Sequence, residues 1–218
     1  MPIRVLLVDD HQMLREGLRA ILERDGRVTV VDEACNGREA VAMVAKLEPD
    51  VVVMDIGMAD LNGVDAARQI HASHHLIKLV ALSAHSDRRF VFAMLDAGAS
   101  AYVLKEAAGE EILRAIHAVY RGRKFLSPEI AGAVIEGFVD GRPVVSASDS
   151  RPELGARERE VVQLLAEGKS SKEVAITLHI SLQTVETHRR NIMGKLKIHS
   201  LSLLTKYAIR EGLTTAEG

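Results

Sequence analysis

Four short apolar runs in this chain each end in a group that could do chemistry. Ile3 to Val8 leads into Asp9-Asp10, Val51 to Met54 into Asp55, Leu79 to Leu82 into Ser83, and Ala101 to Leu104 into Lys105. Singly, each has an ordinary explanation: acidic pairs make turns, serines cap or line loops, and most lysines are solvated. Together they form a coherent set. Three clustered carboxylates repel one another unless a cation lies among them, and hard oxygen ligands with few committed protein groups suit Mg²⁺. Such an ion would neutralise charge on an incoming phosphoryl group, Lys105 would meet another phosphate oxygen, and Ser83 would donate a hydrogen bond. Asp55 is then a carboxylate nucleophile that accepts the phosphoryl group.

These groups need a scaffold that gathers strand ends. The run before Asp55 is unbroken and apolar, as in a central strand buried on both faces of a parallel sheet. His11 to Arg24 carries Met13, Leu14, Leu18, Ile21 and Leu22 at helical spacing, Val28 to Val31 reads as a second strand, and Asn36 can cap a second helix. Helices follow over about Val64 to Ala72, from Asp87 to near Gly98, and over about Glu110 to Arg121. Five alternations of strand and helix predict an α/β fold, a five-stranded doubly wound parallel sheet, and right-handed crossovers bring all five carboxyl ends to one edge. That edge is where ligands bind in open α/β sheets.

The 218 residues, 47% hydrophobic, suffice for one large or two modest domains. No apolar run reaches the roughly 18 to 20 residues that span a bilayer, and the start does not read as a signal peptide, which places the protein in the cytoplasm without a membrane partner. One cysteine, Cys35, rules out an intrachain disulfide and reads as a small buried residue. Residues 151–218 hold eleven Lys or Arg against eight Asp or Glu, and the remainder 17 against 22. An acidic part joined to a mildly basic one suggests different partners for each.

Phe125 to Val139 can form an amphipathic helix starting at Ser127-Pro128, and the Gly, Pro and Ser of DGRPVVSASDSRPE mark a flexible linker. Beyond it, Ala156 to Glu167 and about Ser171 to Leu178 read as helices. A third begins near Ser181 or Leu182. This pattern fits a DNA-reading helix-turn-helix. Val185, Ile192 and Leu196 form the inward stripe of the third helix, leaving Gln183, Thr187, Arg190, Asn191 and Gly194 outward with Glu186 close by. Thr184 joins that contact set near the helix start. Arg190 could be bidentate to guanine, and Glu186 could accept from cytosine. Lys169, Lys172, Arg189 and Lys195 are candidates for phosphate contacts.

VLLVDDH, MDIGM, LSAH and GASAYVLK resemble the motifs of the receiver domain of two-component response regulators, over about Met1 to Gly122. The resemblance implies a flavodoxin-like sheet in which Asp10, Asp55 and the backbone carbonyl of Gly57 hold Mg²⁺, with Asp9 acting through water. It further implies that Ser83 reorients to the phosphoryl group, that Tyr102 moves inward with it, and that Lys105 pairs with the phosphoryl charge. AREREVVQLLAEGKSSKEVAITLHISLQTVETHRRNIMGKL resembles the small all-α, four-helix output domain of LuxR-type regulators, and the pairing is that of the NarL/FixJ class. By position, Glu186, Thr187 and Arg190 are then the base readers, and Leu201 to Ile209 builds a DNA-bound dimer. Three departures stand out: Ala59 where proline is usual, LGA at 154–156 where Thr and Pro are usual, and Gly194 inside the recognition helix.

The expectation is a receiver over 1–122, a linker over 123–152 and a LuxR-type helix-turn-helix domain over 153–218. Its partners would be a sensor histidine kinase, promoter half-sites in double-stranded DNA, and a second copy of itself. Two rivals make different demands. A phosphatase or phosphotransferase would commonly need an acid two residues after Asp55, where Gly57 stands. A protein-binding C-terminal part would lack the steep salt dependence of phosphate neutralisation.

Overall fold

A computed structural model describes residues 1–139 and 154–214 of the chain, which forms two compact units. In the N-terminal unit, strands β1 (Ile3–Val8), β2 (Val28–Ala34), β3 (Val51–Asp55), β4 (Lys78–Ser83), β5 (Ala101–Leu104) and β6 (Phe125–Leu126) form one parallel sheet in the order β2-β1-β3-β4-β5-β6. Helices α1 (Gln12–Glu23), α2 (Gly37–Leu47), α3 (Gly63–Ser73), α4 (Arg88–Asp96) and α5 (Ala108–Tyr120) make the crossovers, and α6 (Pro128–Val139) follows β6. Alternation along the strands sorts the helices. Val5, Leu7, Val51, Val53, Val80 and Leu82 face Leu18 and Leu22 of α1 and Ile112, Ile116 and Val119 of α5. The opposite face, with Leu6, Val52, Met54, Leu79 and Ala81, is just as dry. Central strands buried on both faces have no alternating pattern to read, which is why β3 is uniformly apolar.

Side-chain caps set the helix starts. Asn36 accepts from Glu39 N, Asn62 from Asp65 N, and Asp87 from Arg89 N. The chain leaves β1 toward β2 on one side, while β3 lies on the other, so the strand order reverses between β1 and β3. Asp9 and Asp55 therefore end adjacent strands at the switch point.

Three details depart from the sequence reading. The sheet has a sixth strand beyond the five expected, because Phe125–Leu126 pairs parallel with Ala101 and Tyr102; two residues are too few to show a period. Strand β2 runs on to Ala34, with Asp32 exposed and Glu33 half-buried against Arg15 and Arg19 of α1. Cys35 is exposed instead of buried, because it lies just past that edge strand in the loop entering α2, where its N–H donates to Glu39 Oε2 at 2.8 Å.

Helices α7 (Ala156–Ala166), α8 (Ser171–Thr177), α9 (Leu182–Leu196) and α10 (Leu201–Arg210) make up the C-terminal unit. Their core gathers Leu154, Val161, Leu165, Val174, Val185, Ile192, Leu204 and Ala208. Ser170, Ser181 and Ser200 cap α8, α9 and α10 with their side chains. His179, at φ +52°, makes the turn from α8 to α9. Gly155 cannot cap α7 with a side chain, so Glu158 reaches back to accept from Gly155 N at 2.9 Å. The part of the expected linker beyond Val139 lies outside the described residues.

Two glycines behave oppositely. A Cβ on Gly63 would lie 2.0 Å from the Asp55 carbonyl oxygen, whereas one on Gly194 would meet nothing within 4 Å. Gly63→Ala is expected to cost about 3 kcal/mol by forcing main chain apart. Gly194→Ala should add about 1 kcal/mol to the C-terminal unit, visible in urea unfolding. Equal stability of the two variants would contradict this packing.

Candidate functional site

Four strand ends build the site. The Lys105 ammonium, just past β5, lies 2.8 Å from both Asp9 Oδ2 and Asp55 Oδ2. Asp9 and Asp55 are almost completely buried, at 1% and 3% exposure. Burial, reinforced by the Asp9 charge, pushes the Asp55 carboxyl above its ordinary 3.8 against the pull of Lys105. The same burial draws the Lys105 ammonium down, but Asp55 and Asp9 outweigh it and hold the group above its ordinary value. The ammonium thus favours the Asp55 carboxylate and the two acids favour the ammonium, while the acids repel each other.

The metal-binding potential can be judged from the carboxylate geometry. Ligand atoms of Asp9, Asp10, His11 and Asp55 lie within 4.8 Å of one another. Asp9 Oδ2 is buried and, though in ionic contact with Lys105, has no aligned hydrogen-bond donor. Asp10 is exposed, and its Oδ1 lies 2.7 Å from His11 Nδ1. A pocket of carboxylate oxygens with an under-bonded buried member fits a hard divalent cation. Gly57 is exposed on the loop after β3, its N–H 3.4 Å from Asp55 Oδ1. Arg15 of α1 braces the site from behind, donating to the Asp9 carbonyl at 2.6 Å and to Glu33 Oε2 at 3.1 Å.

Ser83 and Tyr102 meet at a main-chain atom. Ser83 Oγ donates to the His85 carbonyl at 3.3 Å and accepts from His85 N at 3.0 Å, while Tyr102 OH donates to the same carbonyl at 2.7 Å. Tyr102 is fully buried, and burial pushes its phenol up to about 12. The His85 ring stacks on Phe90 with centroids 5.3 Å apart. His85 and His11 are the site residues that sequence reasoning passed over. His85 acts through its carbonyl, which no side-chain pattern advertises; His11 had a signal in its place beside the acidic pair.

In the C-terminal unit, Gln183, Glu186, Thr187, Arg190, Asn191 and Gly194 of α9 are all exposed, while Val185 and Ile192 are buried. Thr187 Oγ1 donates back to the Gln183 carbonyl at 2.9 Å, and Thr184 Oγ1 sits 2.8 Å from the Ser181 cap. Lys172 is exposed, and Arg189 and Lys169 are partly covered. The Lys195 ammonium lies 2.7 Å from Glu158 Oε2. Burial pushes the Glu158 carboxyl up, but Lys195 and the Gly155 N–H hold it below its ordinary value.

Comparisons with known proteins agree with both halves of this geometry. Residues 5–117 match the response regulator receiver domain, and residues 152–208 match the luxR family of bacterial regulatory proteins. The transcriptional regulatory protein LiaR of Bacillus subtilis is 38% identical over 211 residues, 97% of this chain and 99% of the relative. A LuxR-family two-component response regulator from Aurantimonas is 35% identical with a TM-score of 0.62, over 64% of this chain and 99% of that one. The response regulator RcsB in complex with DNA is 25% identical with a TM-score of 0.60, over 95% of this chain and 98% of that one. The chain belongs to the two-component response regulators, with a receiver domain followed by a LuxR-type helix-turn-helix domain, and it is a transcriptional regulator.

Removing the bridging ammonium should expose the cost of the acid pair. Lys105→Met is expected to destabilise the N-terminal unit by about 3 kcal/mol at neutral pH, as two buried carboxylates lose their counter-charge. Without Lys105 the folded-state carboxyl value rises further, so the folded form retains protons that the unfolded form has lost. Stability then falls as pH rises from the ordinary 3.8 through that raised value, and the deficit should shrink below it. Chemical unfolding of both proteins across this pH range checks the sign.

Proposed function

We propose that a sensor histidine kinase phosphorylates Asp55, and that this modification controls dimerisation and binding to paired half-sites in double-stranded DNA. The observation that carries this reading is the Lys105 ammonium held between Asp9 and Asp55 at the sheet edge. An Asp55 carboxylate oxygen attacks phosphorus as the bond to the kinase imidazole breaks. Lys105 then follows the new phosphoryl oxygens, and Ser83 gives up the His85 carbonyl to donate to the same group. The resemblance implies that Tyr102 moves inward, but the phenol is already buried, which supports instead a switch in which it holds that place as the His85 carbonyl loses Ser83. Mg²⁺ suits the pocket: Asp10, Asp55 and the Gly57 carbonyl would hold it, with Asp9 acting through water, and it would supply charge neutralisation. A doubly charged phosphoryl group replacing a carboxylate provides the differential contacts that a population shift requires.

The domain limits that suit this role are a receiver over 1–122, a linker over 123–152 and an output domain over 153–218. Glu186, Thr187 and Arg190 read bases, supported by their exposure on α9, with Gln183, Thr184, Arg189 and Lys172 around them. Lys195 reaches phosphate only by leaving Glu158. The protein acts as a switch and not as a turnover enzyme, because Gly57 stands where a phosphatase of this architecture would need its acid. Among the described residues no helix is long and apolar enough to cross a membrane, which suits work in the cytoplasm.

DNA binding with and without a small phosphodonor in Mg²⁺ tests the reading. The donor should tighten wild-type binding about tenfold and leave Asp55→Asn unchanged. Equal tightening of both proteins would sink it. On the DNA side, Arg190→Ala should cost about 1–3 kcal/mol and relax specificity at one base pair, while Lys172→Ala should lower the salt slope by about 1 without changing specificity. Titrations at several salt concentrations separate the two.

A further inference from the structure

Ser127 and Glu111 form a buried polar pair with no part in phosphoryl chemistry. Ser127, between β6 and α6, is completely buried, and Glu111 of α5 is 5% exposed. The Ser127 hydroxyl donates to Glu111 Oε2 and accepts from Leu104 N at 3.2 Å. Ser127 N donates to the Tyr102 carbonyl at 3.0 Å. One serine thus holds the main chain of Tyr102, that of the residue before Lys105, and a side chain of α5.

A structural explanation would make Ser127 the cap of α6, and the hydrogen bonds argue against that. A serine at a helix start normally spends its hydroxyl on the first free N–H groups. Here Ile130 N and Ala131 N go to the Ser127 carbonyl, both at 2.9 Å, and the hydroxyl points across the fold. If α6 moved alone, Glu111 would keep only Arg114, at 3.4 Å, and a buried carboxylate would be left short of donors. Moving the end of β5 without α6 would break the Leu104 and Tyr102 bonds as well. The carboxyl end of β5, which carries Tyr102 and Lys105, and the start of α6 are therefore constrained to shift together.

We propose that Ser127 and Glu111 are positioning residues that transmit the state of the phosphorylation site to α6, and so toward the output domain. The inference rests on Asp55 phosphorylation controlling DNA binding. Displacement of Lys105 toward a phosphoryl group pulls on Leu104, Leu104 N–H pulls on the Ser127 hydroxyl, and Ser127 carries α6 with it. Glu111 is the anchor on α5 that makes the movement concerted.

The test uses the full chain, a small acyl phosphate as donor in Mg²⁺, and duplexes selected from a random pool by phosphorylated wild-type protein. Ser127→Ala should accept phosphate on Asp55 to the wild-type extent, within about twofold, yet lose the roughly tenfold gain in DNA affinity. Glu111→Gln, which still accepts from the Ser127 hydroxyl, should keep the gain. A wild-type gain in phosphorylated Ser127→Ala would overturn the inference. Hydrogen exchange in the wild type guards against a variant that does not fold: phosphorylation should change protection at Leu104 and at Ile130 and Ala131 together, and a change at Leu104 alone would also overturn it. If phosphorylated wild type shows no affinity gain, the phosphorylation reading itself fails, and the exchange result still judges the coupling separately.

Discussion

Two carboxylates buried at adjacent strand ends must be compensated, and Lys105 is what compensates them. The strand order makes this possible, since β1 and β3 are neighbours and β5 lies across β4, within reach of a lysine stem. Without a counter-charge, burial would push the Asp55 carboxyl still further above its ordinary value, and a protonated carboxyl is a poor nucleophile. The ammonium pulls the Asp55 carboxyl back toward its charged form without fully offsetting its burial. Burial keeps the Asp55 carboxyl above its ordinary value despite the ion pair, and the Asp9 oxygen beside it lacks an aligned donor. Such an arrangement is stable enough to fold and strained enough electrostatically to welcome another cation or a redistribution of charge.

Around that core the loops are held by atoms that can be exchanged. One carbonyl, that of His85, serves both Ser83 and Tyr102, so withdrawing either donor changes what holds the other. By contrast, the approach of α3 to β3 allows no adjustment. Gly63 N donates to the Ile56 carbonyl at 2.9 Å, and the missing Cβ leaves room for the Asp55 main chain. The glycine is needed here for close contact and not for a left-handed turn. Asp55 therefore sits on fixed main chain, while the Ser83 hydroxyl and the Tyr102 phenol share one carbonyl of the loop that follows β4.

How much of this was legible in the sequence depends on which atoms carry the information. Strand ends bearing Asp9, Asp55, Ser83 and Lys105 were readable, because apolar runs with polar ends are patterns of side chains. The exposed face of α9 was readable for the same reason, helical spacing separating Val185 and Ile192 from Thr187 and Arg190. The two-residue strand β6, the His85 carbonyl and the exposure of Cys35 were not, since each depends on main-chain pairing or on a position at a sheet edge. The ion pair of Lys195 with Glu158 spans 37 residues, beyond the reach of any local pattern.

That ion pair changes how the recognition helix should be understood. Glycine at 194 lowers the intrinsic tendency of α9 to stay helical near its end, and no neighbouring atom requires the glycine. Just past it, Lys195 reaches back to Glu158, which also holds the Gly155 N–H at the entrance of α7. The end of α9 is thus secured by a tertiary ion pair to the carboxylate that also holds the start of α7, and only weakly by its own sequence.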